Sequence, residues 1–70
     1  MPIISVSILA GRPAKAKQQL LKALSDATVT TLGVPASTVR ILLTEVAPEN
    51  WAVGGISKAQ NIDTAGDQKT

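Results

Sequence analysis

The chain has 70 residues, 44% of them apolar, and its seven Lys and Arg against five Asp and Glu give a net charge of +2. This length allows one domain, which buries only about 60% of the surface that its unfolded chain exposes. Cysteine and histidine are both absent, which excludes disulfides, catalytic thiols, imidazole bases and most transition-metal sites. We therefore expect a single cofactor-free domain that gains stability by self-association.

Charge and aromatic content argue against nucleic-acid and membrane partners. The basic residues are dispersed without a run of like charge, and Trp51 is the only aromatic residue, whereas binding of single strands needs several stacking aromatics. No apolar stretch approaches the roughly 20 residues of a membrane span, and no basic region precedes an apolar segment at the N-terminus. We expect a cytoplasmic protein with no nucleic-acid partner and no membrane association.

The first predicted element is a strand over residues 2–9, because apolar positions alternate along it. Gly11 then supplies a turn, and Pro13 suits the first position of a helix. The fully apolar face of the strand consists of Ile4, Val6 and Ile8.

From Pro13 to Leu32 the apolar period changes to that of an amphipathic helix, which we expect to pack on a sheet. Gly33 and Pro35 end it, since glycine favours a left-handed cap and proline cannot continue a helix. The stripe predicted to face the sheet consists of Ala16, Leu20, Leu24, Ala27 and Thr31.

A second strand is predicted over residues 38–46. Strand, helix and strand in this order form one βαβ unit, so the two strands should be parallel. Both faces of a parallel sheet are usually covered, and this chain has one helix only. We expect another subunit to cover the second face.

The rest of the chain predicts a turn over residues 47–50 and a short hairpin over residues 51–56. Such a hairpin is marginal by itself, so we expect it to dock on a neighbouring subunit. Beyond it the sequence turns polar and loses its period. The predicted organisation is one α+β domain over residues 1–60, a β-α-β-β protomer, followed by a polar tail over residues 61–70.

Pro2 is a candidate catalytic residue, because removal of Met1 would leave its nitrogen as a free secondary amine. A retained Met1 would hold that nitrogen in a tertiary amide with no usable lone pair. Glu45 and Glu49 are more simply explained as solvated carboxylates. The other candidates, each also compatible with an ordinary structural or surface role when taken singly, are Arg12, Arg40 and Trp51.

Taken together, the segments that carry these candidates resemble the 4-oxalocrotonate tautomerase family. They are Pro2 with Ile3, then Ile8–Arg12, Val39–Glu45 and Trp51–Gly55. The resemblance covers residues 2 to about 60. It implies a tautomerase-like protomer, dimers that join their sheets, and a homohexamer built as a trimer of dimers with active sites at subunit boundaries.

The resemblance also implies a role for each candidate. Pro2 is the general base and then the general acid, while Arg12 holds the distal carboxylate of a dicarboxylate substrate. Arg40, from a neighbouring subunit, binds the 2-oxo or 2-hydroxy group and the near carboxylate. Trp51 stands where the family usually has Phe and forms an apolar wall, and Leu9 also binds substrate. This wall and the guanidinium groups disfavour a protonated amine, so we expect them to lower the pKa of Pro2.

The implied reaction is the interconversion of 2-hydroxydienoate and 2-oxo-enoate dicarboxylates, such as 2-hydroxymuconate, in aromatic catabolism. Two alternatives stay open: a related member acting on phenylpyruvate-type enols or as a weak hydratase, and a non-catalytic assembly subunit if Met1 is retained. Dehalogenases of the superfamily carry a Glu near the aromatic residue, where this chain has Ala52 and Val53. This departure disfavours a water-adding function.

Overall fold

Residues 2–60 form an α+β fold with one α-helix. The computed structural model describes residues 2–60, so Met1 and the predicted tail, residues 61–70, lie outside the described residues. The order of helix, longer strands and C-terminal hairpin confirms the predicted β-α-β-β protomer. In chain order the elements are β1 (Ile3–Leu9), α1 (Ala14–Leu32), β2 (Arg40–Val46), β3 (Ala52–Val53) and β4 (Ile56–Ser57).

β1 and β2 form a parallel sheet, as the predicted βαβ order requires. Ile3 pairs with Arg40 at one end of the sheet, and Leu9 pairs with Val46 at the other. The pairing continues to Pro2, whose carbonyl accepts a 3.0 Å hydrogen bond from the backbone N–H of Arg40. Pro2 and Arg40 are therefore neighbours at the start of the sheet.

One face of this sheet packs against α1. Ile4, Val6 and Ile8 are half-buried while the residues between them are exposed, and β2 alternates in the same way up to Thr44. In α1, Ala16, Leu20 and Leu24 of the predicted stripe are half-buried. The remaining two residues of the stripe, Ala27 and Thr31, are exposed and border an open groove.

The ends of the elements differ slightly from the predicted ones, for reasons of backbone geometry. Pro13 caps α1 in an extended conformation, with ψ 155°, and is not its first helical residue. Gly33 confirms the predicted left-handed cap: its φ is 69° and its N–H donates to the carbonyl of Val29 at 2.9 Å. β2 begins at Arg40 and not at residue 38, because Ala36–Thr38 forms a 3₁₀ turn.

The short hairpin is closed by a glycine pair. Gly54 and Gly55 have φ values of 62° and 81°, and two successive positive φ values are typical of the type I′ turn that suits the twist of a hairpin. The hairpin is attached to the preceding segment by a 2.7 Å hydrogen bond from the Lys58 N–H to the Trp51 carbonyl. The position of Trp51 is thereby tied to the hairpin.

No residue from 2 to 60 is fully buried in the single chain. Ile3 is 63% exposed and Leu42 is 58% exposed, and both lie on the sheet face that α1 does not cover, while Val53 in the hairpin is 64% exposed. Removing apolar surface from water is favourable by roughly 25 cal/mol of free energy per Å². We therefore expect another subunit to cover this face. The same expectation followed from the sequence, which supplies one helix for a sheet with two faces.

Leu42→Asp is expected to reduce the assembled protein to a smaller species, because a carboxylate would have to lose its hydration at the contact. Gln19→Asp places the same charge on the exposed side of α1 and should leave the assembly intact. Sedimentation velocity at micromolar concentration measures both. A 7.2 kDa monomer in the unmodified protein would contradict self-association, and an unchanged mass for Leu42→Asp would exclude this face.

Within residues 2–60, no helix combines the length and the apolar character needed to cross a bilayer.

Candidate active site

A cavity of about 360 Å³ lies at the end of the sheet where β1 stops. It contains three of the predicted site residues, Leu9, Arg12 and Trp51, although they are far apart in the sequence. The strand, the helix and the segment after β2 all contribute to it. Its lining consists of Ser7, Ile8, Leu9, Arg12, Leu20 and Trp51.

The turn after β1 directs Arg12 back toward the strand. Gly11 has φ 124°, a value that residues with a side chain rarely adopt. The guanidinium Nη1 of Arg12 then donates to the carbonyl of Leu9 at 3.4 Å. Arg12 is exposed, so its remaining N–H groups are free to bind a planar carboxylate.

Trp51 forms an apolar wall of the same cavity. It follows the 3₁₀ turn Pro48–Asn50, and its N–H donates to the carbonyl of Pro48 at 3.2 Å. The ring is half-buried. A half-buried ring beside an exposed guanidinium suits a ligand with an apolar body and an anionic end.

Pro2 lies in a separate, open groove of about 330 Å³ between β1 and the C-terminal half of α1. Every side chain that borders this groove is uncharged, so within one chain no cation of the described residues lines it. The groove offers an apolar setting for the Pro2 ring. Its lining consists of Pro2, Ile4, Leu24, Ala27, Thr28, Thr31 and Leu32.

The two groups of candidate residues lie at opposite ends of the sheet. Seven residue steps separate Pro2 from Leu9, which at about 3.3 Å per step is roughly 23 Å. The Arg40 side chain lies at the Pro2 end of the sheet but on its opposite face. Arg40 pairs with Ile3, so its side chain is on the face of Ile3, whereas Pro2 is on the face of Ile4. One chain alone therefore does not bring Pro2 together with Arg12, Trp51 or the Arg40 guanidinium.

An ion pair near the cavity was not anticipated from the sequence. The Nζ of Lys17 contacts Oε2 of Glu45 at 3.0 Å, with the two side chains 26% and 36% exposed. The alternation of side chains along β2 could have indicated this contact, because it places Glu45 on the same face as Ile41 and Leu43, which α1 covers. A partly exposed pair of this kind contributes at most about 1 kcal/mol, so it mainly orients α1 on β2.

Comparison with known proteins decides the family. A family model described as a tautomerase enzyme matches residues 2–61, which include every candidate site residue. The chain belongs to the tautomerase family. The match also spans both ends of the sheet, so it includes the Pro2 groove and the Arg12 cavity.

Individual relatives agree with this tautomerase assignment. A probable tautomerase of Ralstonia nicotianae is 38% identical over 69 residues, covering 99% of each chain. A 2-hydroxymuconate tautomerase of Pseudomonas putida is 36% identical over 55 residues, which are 79% of this chain and 87% of that one. The solved heterohexamer 4-oxalocrotonate tautomerase from Chloroflexus aurantiacus has a TM-score of 0.82 at 40% identity, covering 86% of this chain and 97% of that chain. These similarities confirm the predicted family and fold, and they indicate an isomerase.

Proposed function

We propose that this tautomerase-family protein interconverts 2-hydroxydienoate and 2-oxo-enoate dicarboxylates such as 2-hydroxymuconate, in the cytoplasm and without a cofactor. The observation that carries the proposal is the pairing of an exposed Arg12 with Trp51 in one cavity, while Pro2 occupies an apolar groove. Similarity to a 2-hydroxymuconate tautomerase supports the choice of substrate.

Pro2 moves the proton in this proposal. With Met1 removed, its secondary amine takes the proton from the 2-hydroxyl group of the dienol, and the electron pair of that O–H bond forms the 2-oxo group as the double bonds shift. The protonated amine then returns the proton to a carbon of the former diene. No atom is gained or lost, and the amine is regenerated. The uncharged groove around Pro2 favours the neutral amine that begins the cycle.

The arginines supply the positive charge that the groove lacks. Arg12 binds the distal carboxylate, and its bond to the Leu9 carbonyl keeps the guanidinium at the cavity. Arg40 of a neighbouring subunit binds the near carboxylate and the 2-oxygen, where negative charge grows in the transition state. A preorganised donor at such a position is typically worth roughly 3 kcal/mol.

The separation of Pro2 from Arg12 supports a site shared between subunits. When two chains pack with their sheets in opposite directions, the Pro2 end of one chain lies beside the Arg12 and Trp51 end of the other. The exposed apolar face of each sheet is then available for packing between such dimers. We propose a homohexamer, a trimer of dimers, with each active site at a subunit boundary.

Arg12→Ala tests the choice of a dicarboxylate. We expect kcat/KM for 2-hydroxymuconate to fall by roughly 10- to 100-fold, because a charge-assisted hydrogen bond is lost. The monocarboxylate 2-hydroxy-2,4-pentadienoate lacks the distal partner, so its kcat/KM should change less than twofold. Parallel stopped-flow or absorbance assays of the two substrates give the comparison. Equal losses for both substrates would contradict the role of Arg12.

An assay of a third substrate, phenylenolpyruvate, separates the dicarboxylate reaction from a phenylpyruvate-type activity. Trp51, which lines the cavity, stands where the family usually has Phe, and its indole ring could stack against the ring of an aromatic substrate. A higher kcat/KM for phenylenolpyruvate than for 2-hydroxymuconate would replace the proposed substrate class with this one.

A further inference from the structure

The 3₁₀ turn before β2 is closed by one threonine hydroxyl in addition to its backbone hydrogen bonds. The backbone N–H of Thr38 donates to the carbonyl of Pro35 at 3.0 Å, and the N–H of Val39 donates to the carbonyl of Ala36 at 3.1 Å. The Oγ1 of Thr38 donates to the same Pro35 carbonyl at 2.7 Å. Pro35 has a ring-restricted φ of −65°, so the start of the turn is rigid as well.

This turn holds the guanidinium of Arg40. The Nη1 of Arg40 donates to the carbonyl of Ser37, inside the turn, at 3.1 Å. The backbone N–H of Arg40 donates to the carbonyl of Pro2 at 3.0 Å. Arg40 is thus attached at its backbone to Pro2 and at its side chain to the turn.

An exposed arginine otherwise loses considerable rotamer freedom when it binds a ligand. The carbonyl of Ser37 can orient the guanidinium in advance only if the peptide that carries it is itself fixed. Among residues 36–38, which form the turn, Thr38 is the residue whose side chain closes it onto Pro35.

We propose that Thr38 is a positioning residue: its hydroxyl fixes the 3₁₀ turn whose Ser37 carbonyl orients the Arg40 guanidinium for an anionic substrate. The inference rests on the proposed function of Arg40. Thr38 acts through the turn and through Arg40, so removal of its hydroxyl should affect binding only while Arg40 is present.

Nuclear magnetic resonance tests the first step directly. Arginine occurs in this chain only at positions 12 and 40, so the spectrum contains two Nε–Hε signals, and Arg12 at the other end of the sheet is an internal control. Thr38→Val is expected to lower the ¹⁵Nε order parameter of Arg40 and to leave that of Arg12 unchanged. Thr38→Ser retains a hydroxyl and should behave like the unmodified protein.

The second step is measured by calorimetric titration with muconate, the dicarboxylate that lacks the reacting hydroxyl group. Thr38→Val should raise the Kd about fivefold, as expected for one net hydrogen bond. Thr30→Val, at an exposed position of α1, is the matched control and should leave the Kd unchanged. In an Arg40→Gln background, Thr38→Val should have no further effect on the Kd.

The proposal is overturned if Thr38→Val leaves the Arg40 order parameter unchanged, or if it raises the Kd equally in the Arg40→Gln background. Thr38→Ala replaces Thr38→Val if the latter does not assemble, as judged by sedimentation. Failure of the proposed function is seen separately, as turnover of 2-hydroxymuconate that does not depend on Pro2. If muconate does not bind to the unmodified protein, the Arg40 order parameter alone decides.

Discussion

Pro2→Ala is expected to lower kcat/KM for 2-hydroxymuconate by roughly 10²- to 10⁴-fold, the usual contribution of a positioned general base. Pro2 lies at the start of the sheet, where its carbonyl pairs with Arg40 and its ring borders the apolar groove. Alanine keeps the backbone carbonyl but replaces a fixed secondary amine with a more mobile primary one. The assay follows ketonisation by absorbance with protein whose N-terminus is established by intact mass.

A preparation that retains Met1 provides the sharper control, because it keeps every side chain of residues 2–60 and converts the Pro2 amine into an amide. The amide formed with Met1 cannot accept a proton, so activity should fall below that of Pro2→Ala, which still has an amine. Equal activity with and without Met1 would refute the role of the Pro2 amine. If the protein isolated from its native host retains Met1, the assembly role considered from the sequence would be favoured instead.

The elements of the fold could be predicted because local residues determine them. The alternation around Val6 indicated a strand with one covered face, and Gly33 followed by Pro35 indicated the end of the helix. The start of β2 was harder to predict, because Thr38 has a high strand propensity but closes a 3₁₀ turn onto Pro35. That competition between a side-chain hydrogen bond and an extended backbone is invisible to a period-two pattern.

The site was less predictable than the fold, because its residues meet through tertiary and quaternary contacts. The cavity that combines Leu9, Arg12 and Trp51 depends on where the segment after β2 crosses the end of β1. Strand alternation could have separated Pro2 from Arg40, since it places them on opposite sheet faces. It cannot indicate which ends of two subunits meet, because that depends on the surfaces that the chains present to each other.

A shared site makes a second large effect measurable, namely complementation between two variants that are each impaired in turnover of 2-hydroxymuconate. Pro2→Ala and Arg12→Ala each damage one end of the sheet, about 23 Å apart by strand geometry. In a dimer of one variant with the other, one boundary carries both changes and the opposite boundary carries neither. Random pairing makes half of the dimers mixed, so about a quarter of all sites should be intact. We expect kcat/KM for 2-hydroxymuconate, normalised to subunits, to recover to about that fraction of the unmodified value after the two are unfolded and refolded together.

The matched control places both changes in one chain. When the Pro2→Ala/Arg12→Ala double variant is refolded with an equal amount of unmodified protein, a shared site leaves about a quarter of the sites intact, whereas a site within one chain leaves about half. The two mixtures contain the same number of each substituted residue, so differences in stability cancel between them. Activity of the first mixture equal to the mean of its parents, with half activity in the second, would show that each chain builds its own site. The separation of Pro2 from Arg12 and Trp51 would then have to close by a change within the chain.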